Sequence, residues 1–442
     1  MNRLSRSFSL AGAALLGLAA ALAPAQSVTL TPYRASAIYA VGEKVGWTVA
    51  APDHAAAAGG EFSYSIREND LTVIKTGQLD LHTGPAKIEL SLAEPAMLYL
   101  EVTSSAPDTK PSIAGAAVAP TRLQPSVPRP PDFDAFWQAK IAQLEKVAPE
   151  PVLTPSDSGH PGVDYATVRL NNINGAHVYG QLARPSPPGK HPAMLIMQWA
   201  SPPYPLQRAW VVDRAAEGWI ALNVEPHDVP CDLPPAFYAS LPQMINDYRY
   251  IYDYDRDRNY FLQMYLGDYR ALDYLASLPD WDGRTLVVTG TSMGGQQSVC
   301  VAGLHPKVTH LVVNEPAGAD SNAALHGRAA GYPNWNTSDP RALETGLYFD
   351  TVNFAPRIKA KCLVSIGFVD QTAEPVGIWT AFNQIPGPKE VVPLIDSPHN
   401  NLATDAQQHP YIARAKEWFD ALVAGREPSV STGVAASVAA GN

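Results

Sequence analysis

Residues 287–295 of the chain read Val-Val-Thr-Gly-Thr-Ser-Met-Gly-Gly. An apolar run with strand character leads into Gly290-Thr291-Ser292-Met293-Gly294, and helical sequence follows. A serine flanked in this way at a strand-to-helix turn is placed as a nucleophile. The glycines are needed because the turn is tight and a Cβ two residues either side of the serine would collide. Such a turn projects Ser292 Oγ from the end of a sheet, at a helix N-terminus whose dipole favours developing negative charge. The Met293 backbone N–H is then positioned to donate to a tetrahedral oxyanion. The same five residues occur by chance in ordinary turns; the strand before and the helix after give them meaning.

A serine nucleophile needs a base, and the base needs an orienting acid. Downstream, the apolar run 361–367 ends in Phe368-Val369-Asp370, and the run 390–395 ends in Asp396-Ser397-Pro398-His399. Asp370 and His399 therefore fall just past the C-terminal ends of strands, where the sites of open α/β sheets lie. Their order after the serine is the one that accompanies this type of turn. His326 and His409 are rival bases, and Asp396 is a rival acid. Asp396, three residues from His399, is better placed to shape the loop.

The elements that would hold these groups alternate. Strand-like runs at 193–198, 219–224, 285–289, 309–314, 362–366 and 391–395 are separated by helical segments that include 261–278, 293–304 and 411–423. This pattern predicts a mostly parallel sheet covered on both faces, over residues 132–424. Upstream, short β-type runs at roughly ten-residue spacing predict a small all-β sandwich over 26–118. A Pro-rich, semi-rigid linker at 119–131 joins the two, and a helix opens at Asp132. Residues 425–442 are small and featureless and read as a disordered tail.

The N-terminus has the pattern of a cleaved export signal, residues 1–25. Arg3 and Arg6 precede the apolar run 10–22, and Ala23-Pro24-Ala25 follows it. That run is short for a membrane span, which needs about 20 residues. The expectation is a secreted or periplasmic protein with no membrane insertion. The 442-residue chain is 46% apolar and 17% charged, enough apolar sequence for a sizeable core. Its net charge of −10 argues against a nucleic-acid surface, because each phosphate contact needs a cation. Three cysteines, Cys231, Cys300 and Cys362, make neither a disulfide framework nor a thiolate metal cage.

Further segments carry a resemblance: Pro131-Asp-Phe-Asp-Ala-Phe-Trp137, Leu266-Gly-Asp-Tyr-Arg-Ala-Leu272, Gly290-Thr-Ser-Met-Gly-Gly295, Tyr348-Phe-Asp-Thr-Val-Asn-Phe-Ala-Pro-Arg-Ile358 and Val364-Ser-Ile-Gly-Phe-Val-Asp370. Residues 131–424 resemble the acetyl xylan esterase / cephalosporin-C deacetylase family of α/β-hydrolases. The resemblance implies an α/β-hydrolase fold with Ser292, Asp370 and His399 as nucleophile, acid and base. It implies an acylated carbohydrate substrate and no cofactor. It also makes the N–H of Ala200 the second oxyanion donor. The chain departs from the family at Met293, where Gln is usual, and at Gln198-Trp199-Ala200, where His-Gly-Tyr is usual. It departs again at Glu225-Pro226-His227-Asp228 in place of Arg-Gly-Gln, and at Asn400 in place of Glu.

Trp199, Tyr204, His227 and Trp335 are candidate substrate contacts, with Tyr332 and Trp335 in the position of a lid. The tyrosines at 248, 250, 252 and 254 offer either sugar-stacking faces or loop packing. The group Glu225, His227, Asp228, Cys231 and Asp232 has metal-ligand residue types but fits no tetrahedral zinc spacing, so no metal is expected. Other functions stay open at this point: hydrolysis of non-carbohydrate esters or peptides, or glycan binding on a hydrolase scaffold. The oligomeric state is unassigned.

Overall fold

The structure is a computed structural model that describes residues 28–51, 61–106 and 109–431. The expected export signal and residues 432–442 lie outside the described residues.

Among the described residues of 28–118 the regular elements are all β. The strands are β1 (Thr29–Pro32), β2 (Ile38–Tyr39), β3 (Val45–Ala50), β4 (Phe62–Glu68), β5 (Thr72–Leu79), β6 (Ala86–Leu90), β7 (Ala96–Ser104) and β8 (Ser112–Val118). They form a three-stranded sheet, β1-β3-β6, and a five-stranded sheet, β2-β8-β7-β4-β5. Trp47, Val49 and Ile88 of the first sheet and Ile66, Leu98 and Leu100 of the second are buried in one apolar core. That core continues into the rest of the chain.

Nine further strands make one sheet. They are β9 (Val152–Ser156), β10 (Val163–Asn171), β11 (His177–Pro185), β12 (His191–Met197), β13 (Ile220–Val224), β14 (Trp281–Thr291), β15 (His310–Asn314), β16 (Lys361–Gly367) and β17 (Lys389–Leu394). Their order is β17-β16-β15-β14-β12-β13-β11-β10-β9. The six from β12 to β17 are parallel, as the apolar runs predicted. β9 to β11 add an antiparallel flank that no run had announced. Successive residues of the parallel strands point to opposite faces. Met194, Val287, Val312 and Leu363 join one buried cluster, while Leu195, Val288, Leu311 and Val364 join the other. Both faces need cover, and helices supply it.

The six longer helices among the described residues are α1 (Phe133–Glu145), α2 (Ala209–Ala216), α3 (Tyr260–Leu275), α4 (Met293–Leu304), α5 (Pro375–Gln384) and α6 (Asp405–Val423). α2 and α6 cover the first face through Val211, Trp418 and Phe419. The rest cover the second, with Trp137, Phe261, Tyr265 and Trp379 buried there. Asn259 caps α3, and Thr404 with Gln407 forms a capping box on α6. On α1, Trp137 is fully buried and its indole N–H donates to Tyr348 O at 3.0 Å. Such a ring contributes on the order of 2–3 kcal/mol by burial. The nearby surface pair Arg129–Asp134 contributes about 0–1 kcal/mol. Apolar docking therefore fixes α1.

Two expectations need correction. Residues 119–131 do not span a gap: Asn383 Nδ2 donates to the carbonyls of Pro120 and Leu123, and Ser126 donates to Asp320. The segment is a strap lying along α5, and its prolines fix the path. The tail expected to be disordered from 425 is anchored as far as 431. Lys361 donates to Glu427, Arg414 donates to the carbonyl of Ser429, and the Ser431 N–H donates to Glu390. Polar partners supplied by β16, β17 and α6 order a segment with little apolar sequence of its own.

Candidate active site

β12 and β14 are neighbours, and the chain runs from β12 to β13 on one side and from β14 to β15 on the other, which opens a crevice at their C-terminal ends. Ser292 follows β14 with φ 57°, ψ −120° and is buried. This left-handed conformation costs a non-glycine residue about 1–3 kcal/mol. Backbone bonds offset the cost: Ser292 N–H donates to Asn314 O at 3.1 Å, and its carbonyl accepts from Gln296 and Ala317. The glycines fit as expected. A Cβ on Gly290 would lie 2.5 Å from Gly294 C, and one on Gly294 would lie 2.8 Å from Met197 C. The second contact brings the end of β12 against the first turn of α4.

His399 bridges the other two groups. Its Nδ1 lies 2.7 Å from Asp370 Oδ2 and its Nε2 lies 2.9 Å from Ser292 Oγ. The carboxylate can only accept, so Nδ1 carries the proton and Nε2 faces the serine hydroxyl as an acceptor. Asp370 is held by its other oxygen, which accepts the N–H groups of Thr372 and Ala373 at 2.8 and 2.9 Å. Burial works against the charged form of His399. The hydrogen bond to Asp370 and the charges of Asp370 and Glu315 outweigh it, so its pKa lies above the ordinary value. The rivals lie elsewhere: His326, His409 and Asp396 are exposed.

Met293 opens α4, and its N–H is one of the helix's unpaired first-turn donors. Among the described residues, neither this N–H nor that of Ala200 donates to a protein acceptor. Gln297 Nε2 donates to Gln198 O at 3.2 Å and holds the start of the Gln198–Trp199–Ala200 loop. His227 holds the loop's other end. Its Nε2 lies 2.9 Å from Ser201 O and its Nδ1 2.8 Å from Tyr260 Oη, so Nε2–H donates and Nδ1 accepts. Burial lowers its pKa to about 4. His227 is thus a neutral loop anchor with both nitrogens engaged, rather than a free substrate contact.

Trp335 does not reach the site surface. It is buried, stacked on Phe349, and pressed against Gly346, where a Cβ would lie 3.0 Å from the indole. Tyr332 is buried too, and its hydroxyl lies 2.6 Å from Tyr248 Oη. Both oxygens also lie near Met293 Sδ, at 3.2 and 3.0 Å; one proton bridges the two hydroxyls and the other is free to donate to the sulfur. The segment expected as a lid therefore packs behind the nucleophile. Trp199 does face outward, with 39% of its surface exposed, and stacks on Tyr204 at 5.2 Å. Tyr204 Oη donates to Gln198 Oε1 at 2.7 Å. Of the other tyrosines, Tyr250 and Tyr254 are exposed, each beside an arginine.

The polar side chains between Glu225 and Asp232 do not converge, and the buried Glu225 carboxyl has no hydrogen-bond partner among the described residues. Asp232 accepts from Gln181, Tyr165 and Arg208, and Asp228 faces His177. Sequence reasoning missed Glu315, which is fully buried immediately after β15 and lies with Asp370 and His399 in a group whose ligand-type atoms are within 4.8 Å of one another. Its position, a carboxylate directly past an apolar strand, was the same signal that singled out Asp370.

A parallel sheet with helices on both faces, carrying a serine at the turn after a central strand, defines an α/β-hydrolase. The chain belongs to the acetyl xylan esterase family: the family model described as Acetyl xylan esterase (AXE1) matches residues 121–200 and 249–414. It is a carboxylic ester hydrolase. It is 30% identical over 370 residues to "Acetyl esterase Axe7A" of Xylanibacter ruminicola, covering 81% of this chain and 83% of that one. Among solved structures, the acetyl xylan esterase from Paenibacillus sp. R4 aligns with a TM-score of 0.58 at 23% identity, covering 69% of this chain and 98% of that one. Acetyl xylan esterase 1 from Thermoanaerobacterium sp. JW/SL YS485 aligns at 0.56 and 20% identity, covering 66% and 97%. These two likenesses bear on the fold. The stretch between the two matched blocks, residues 201–248, carries Tyr204, β13 and His227.

Proposed function

We propose that this protein removes acetyl groups from acetylated carbohydrate through an acetyl-enzyme, with Ser292 as nucleophile, His399 as base and acid, and Asp370 as the group that orients it. The observation that carries the reading is the pair of contacts at His399, 2.7 Å to Asp370 and 2.9 Å to Ser292. Ser292 Oγ attacks the ester carbonyl carbon while its proton passes to His399 Nε2. The carbonyl oxygen becomes an oxyanion beside the N–H groups of Met293 and Ala200. Collapse breaks the bond to the sugar oxygen, which takes the proton from Nε2. Water then repeats the sequence on the acetyl group, releasing acetate and restoring the serine hydroxyl.

The export-signal pattern expected at residues 1–25 supports action outside the cytoplasm, where polymeric carbohydrate is met. No helix among the described residues is long and apolar enough to cross a membrane. The β strands before residue 119 act as a support for the acid loop. Asp70 accepts from Gln371 Nε2 at 2.6 Å, next to Asp370, and Asn69 O accepts the Ala329 N–H at 3.0 Å.

Trp199, beside the Ala200 N–H, walls the acyl side of the site. Each methylene that could be buried would gain about 0.8 kcal/mol, but overlap with a fixed wall costs more. On nitrophenyl esters, acetate is expected to react at least as fast as butyrate, and octanoate far more slowly. Acetate release from a panel of acetylated oligosaccharides tests the leaving group. Release from acetylated xylo-oligosaccharides supports the reading. A preference for octanoate, or no acetate released from any glycan, overturns it in favour of an esterase for other substrates.

A further inference from the structure

We propose that Glu315 is a positioning residue for His399: a second carboxylate that shares with Asp370 the charge of the imidazolium and fixes the loop carrying the ring. The proposal rests on the Ser292–His399–Asp370 reading above. Glu315 Oε2 lies 3.9 Å from His399 Nδ1 and accepts the backbone N–H of Asn400, the next residue, at 2.8 Å. Glu315 Oε1 accepts from Gln408 Nε2 of α6 at 3.0 Å. The Glu315 N–H donates to Ser365 Oγ at 3.0 Å, tying the residue to β16. Gly367 leaves room for the carboxylate, since a Cβ there would lie 2.8 Å from Oε1. The side chain is fully buried, yet among the described residues no lysine or arginine pairs with it.

Both oxygens of Glu315 accept, one from the Asn400 N–H and one from Gln408 Nε2, a pattern that the ionised carboxylate meets and an amide, with one acceptor oxygen, does not. What a carboxylate adds is a negative charge beside the atom that becomes positive when the serine gives up its proton. The titratable groups facing Glu315 are Asp370, His399 and, from α6, Tyr411. Burial and then the charge of Asp370 raise its pKa to about 7, against the hydrogen bond from Gln408, the charge of His399 and the Asn400 N–H. Its charge therefore changes close to neutrality.

The test is Glu315→Gln, with kcat and KM for nitrophenyl acetate measured from about pH 5 to about pH 9, the range in which histidine titrates. Removing a negative neighbour lowers the pKa of His399, so the base stays neutral to lower pH. The acid limb of the profile should move down by roughly half a pH unit or more. The plateau of kcat should fall about 10-fold, because the imidazolium formed during reaction loses a stabilising charge. KM should stay unchanged. A lower plateau with an unmoved acid limb, or no change in either, overturns the proposal and leaves Glu315 a structural residue.

A second measurement needs no variant. The downfield proton resonance of His399 Nδ1–H in the unsubstituted enzyme should show two inflections with pH, one from its own ring and one from Glu315. A single inflection overturns the proposal. Activity of Ser292→Ala separates the two levels. If that variant stays active, the underlying reading fails. If it is inactive and Glu315→Gln is silent, only the present proposal fails.

Discussion

Ser292→Ala is expected to lower kcat for ester hydrolysis on the order of 10³-fold or more while the protein unfolds at nearly the wild-type temperature. The side chain has one hydrogen-bond partner, His399 Nε2, and that bond serves the reaction rather than the fold. The contacts that hold the turn belong to the backbone: Ser292 N–H to Asn314 O, and Ser292 O to the N–H groups of Gln296 and Ala317. An alanine keeps all of these and meets the same φ of 57°. Only the attacking oxygen is lost, and with it the covalent route. Residual hydrolysis would then depend on water entering beside the oxyanion donors. Retention of more than about a tenth of the activity would remove Ser292 from its role.

Asp370→Asn should cost a comparable factor, on the order of 10³-fold in kcat, for a different reason. Asp370 Oδ1 accepts two backbone N–H groups, from Thr372 and Ala373. In the variant the amide oxygen must keep that place, so the NH₂ turns toward His399. Nδ1 then becomes an acceptor, the ring proton moves to Nε2, and the base faces Ser292 with its donor side. The geometry survives and the proton transfer does not. Asp396→Asn, on an exposed side chain, should leave kcat within about twofold, because surface changes away from such contacts matter little. Equal effects at the two positions would contradict the assignment of the acid.

The parts of this site that could be read from sequence share one property: each lies where an apolar run stops. Ser292, Asp370 and His399 follow runs that become β14, β16 and β17, and buried parallel strands announce themselves as continuous Val, Ile and Leu. β9 gave no such signal because all five of its residues are exposed at the sheet edge. β10 and β11 mix polar residues such as Asp164, Arg169, Gln181 and Arg184 among their apolar ones, so neither is a continuous apolar run. The order of the strap at 119–131 and of the segment to 431 comes from side chains far away in sequence, such as Asn383 and Lys361. Trp335 shows the same limit: a large ring in a polar insertion reads as a lid, and only the fold shows Phe261, Phe349 and Gly346 packed around it. Glu315 carried the right positional signal. Its meaning depends on Asn400 and Gln408, which the sheet brings back from 85 and 93 residues away.

The central claim is that Ser292 attacks with His399 as its base. A fluorophosphonate reacts only with a serine activated in this way, and peptide mapping by mass spectrometry locates the adduct. The native enzyme should take up one equivalent, on the peptide containing Ser292, with loss of activity in proportion to labelling. His399→Ala should label far more slowly. An adduct on another residue, or hydrolysis that continues in fully labelled enzyme, would contradict the account.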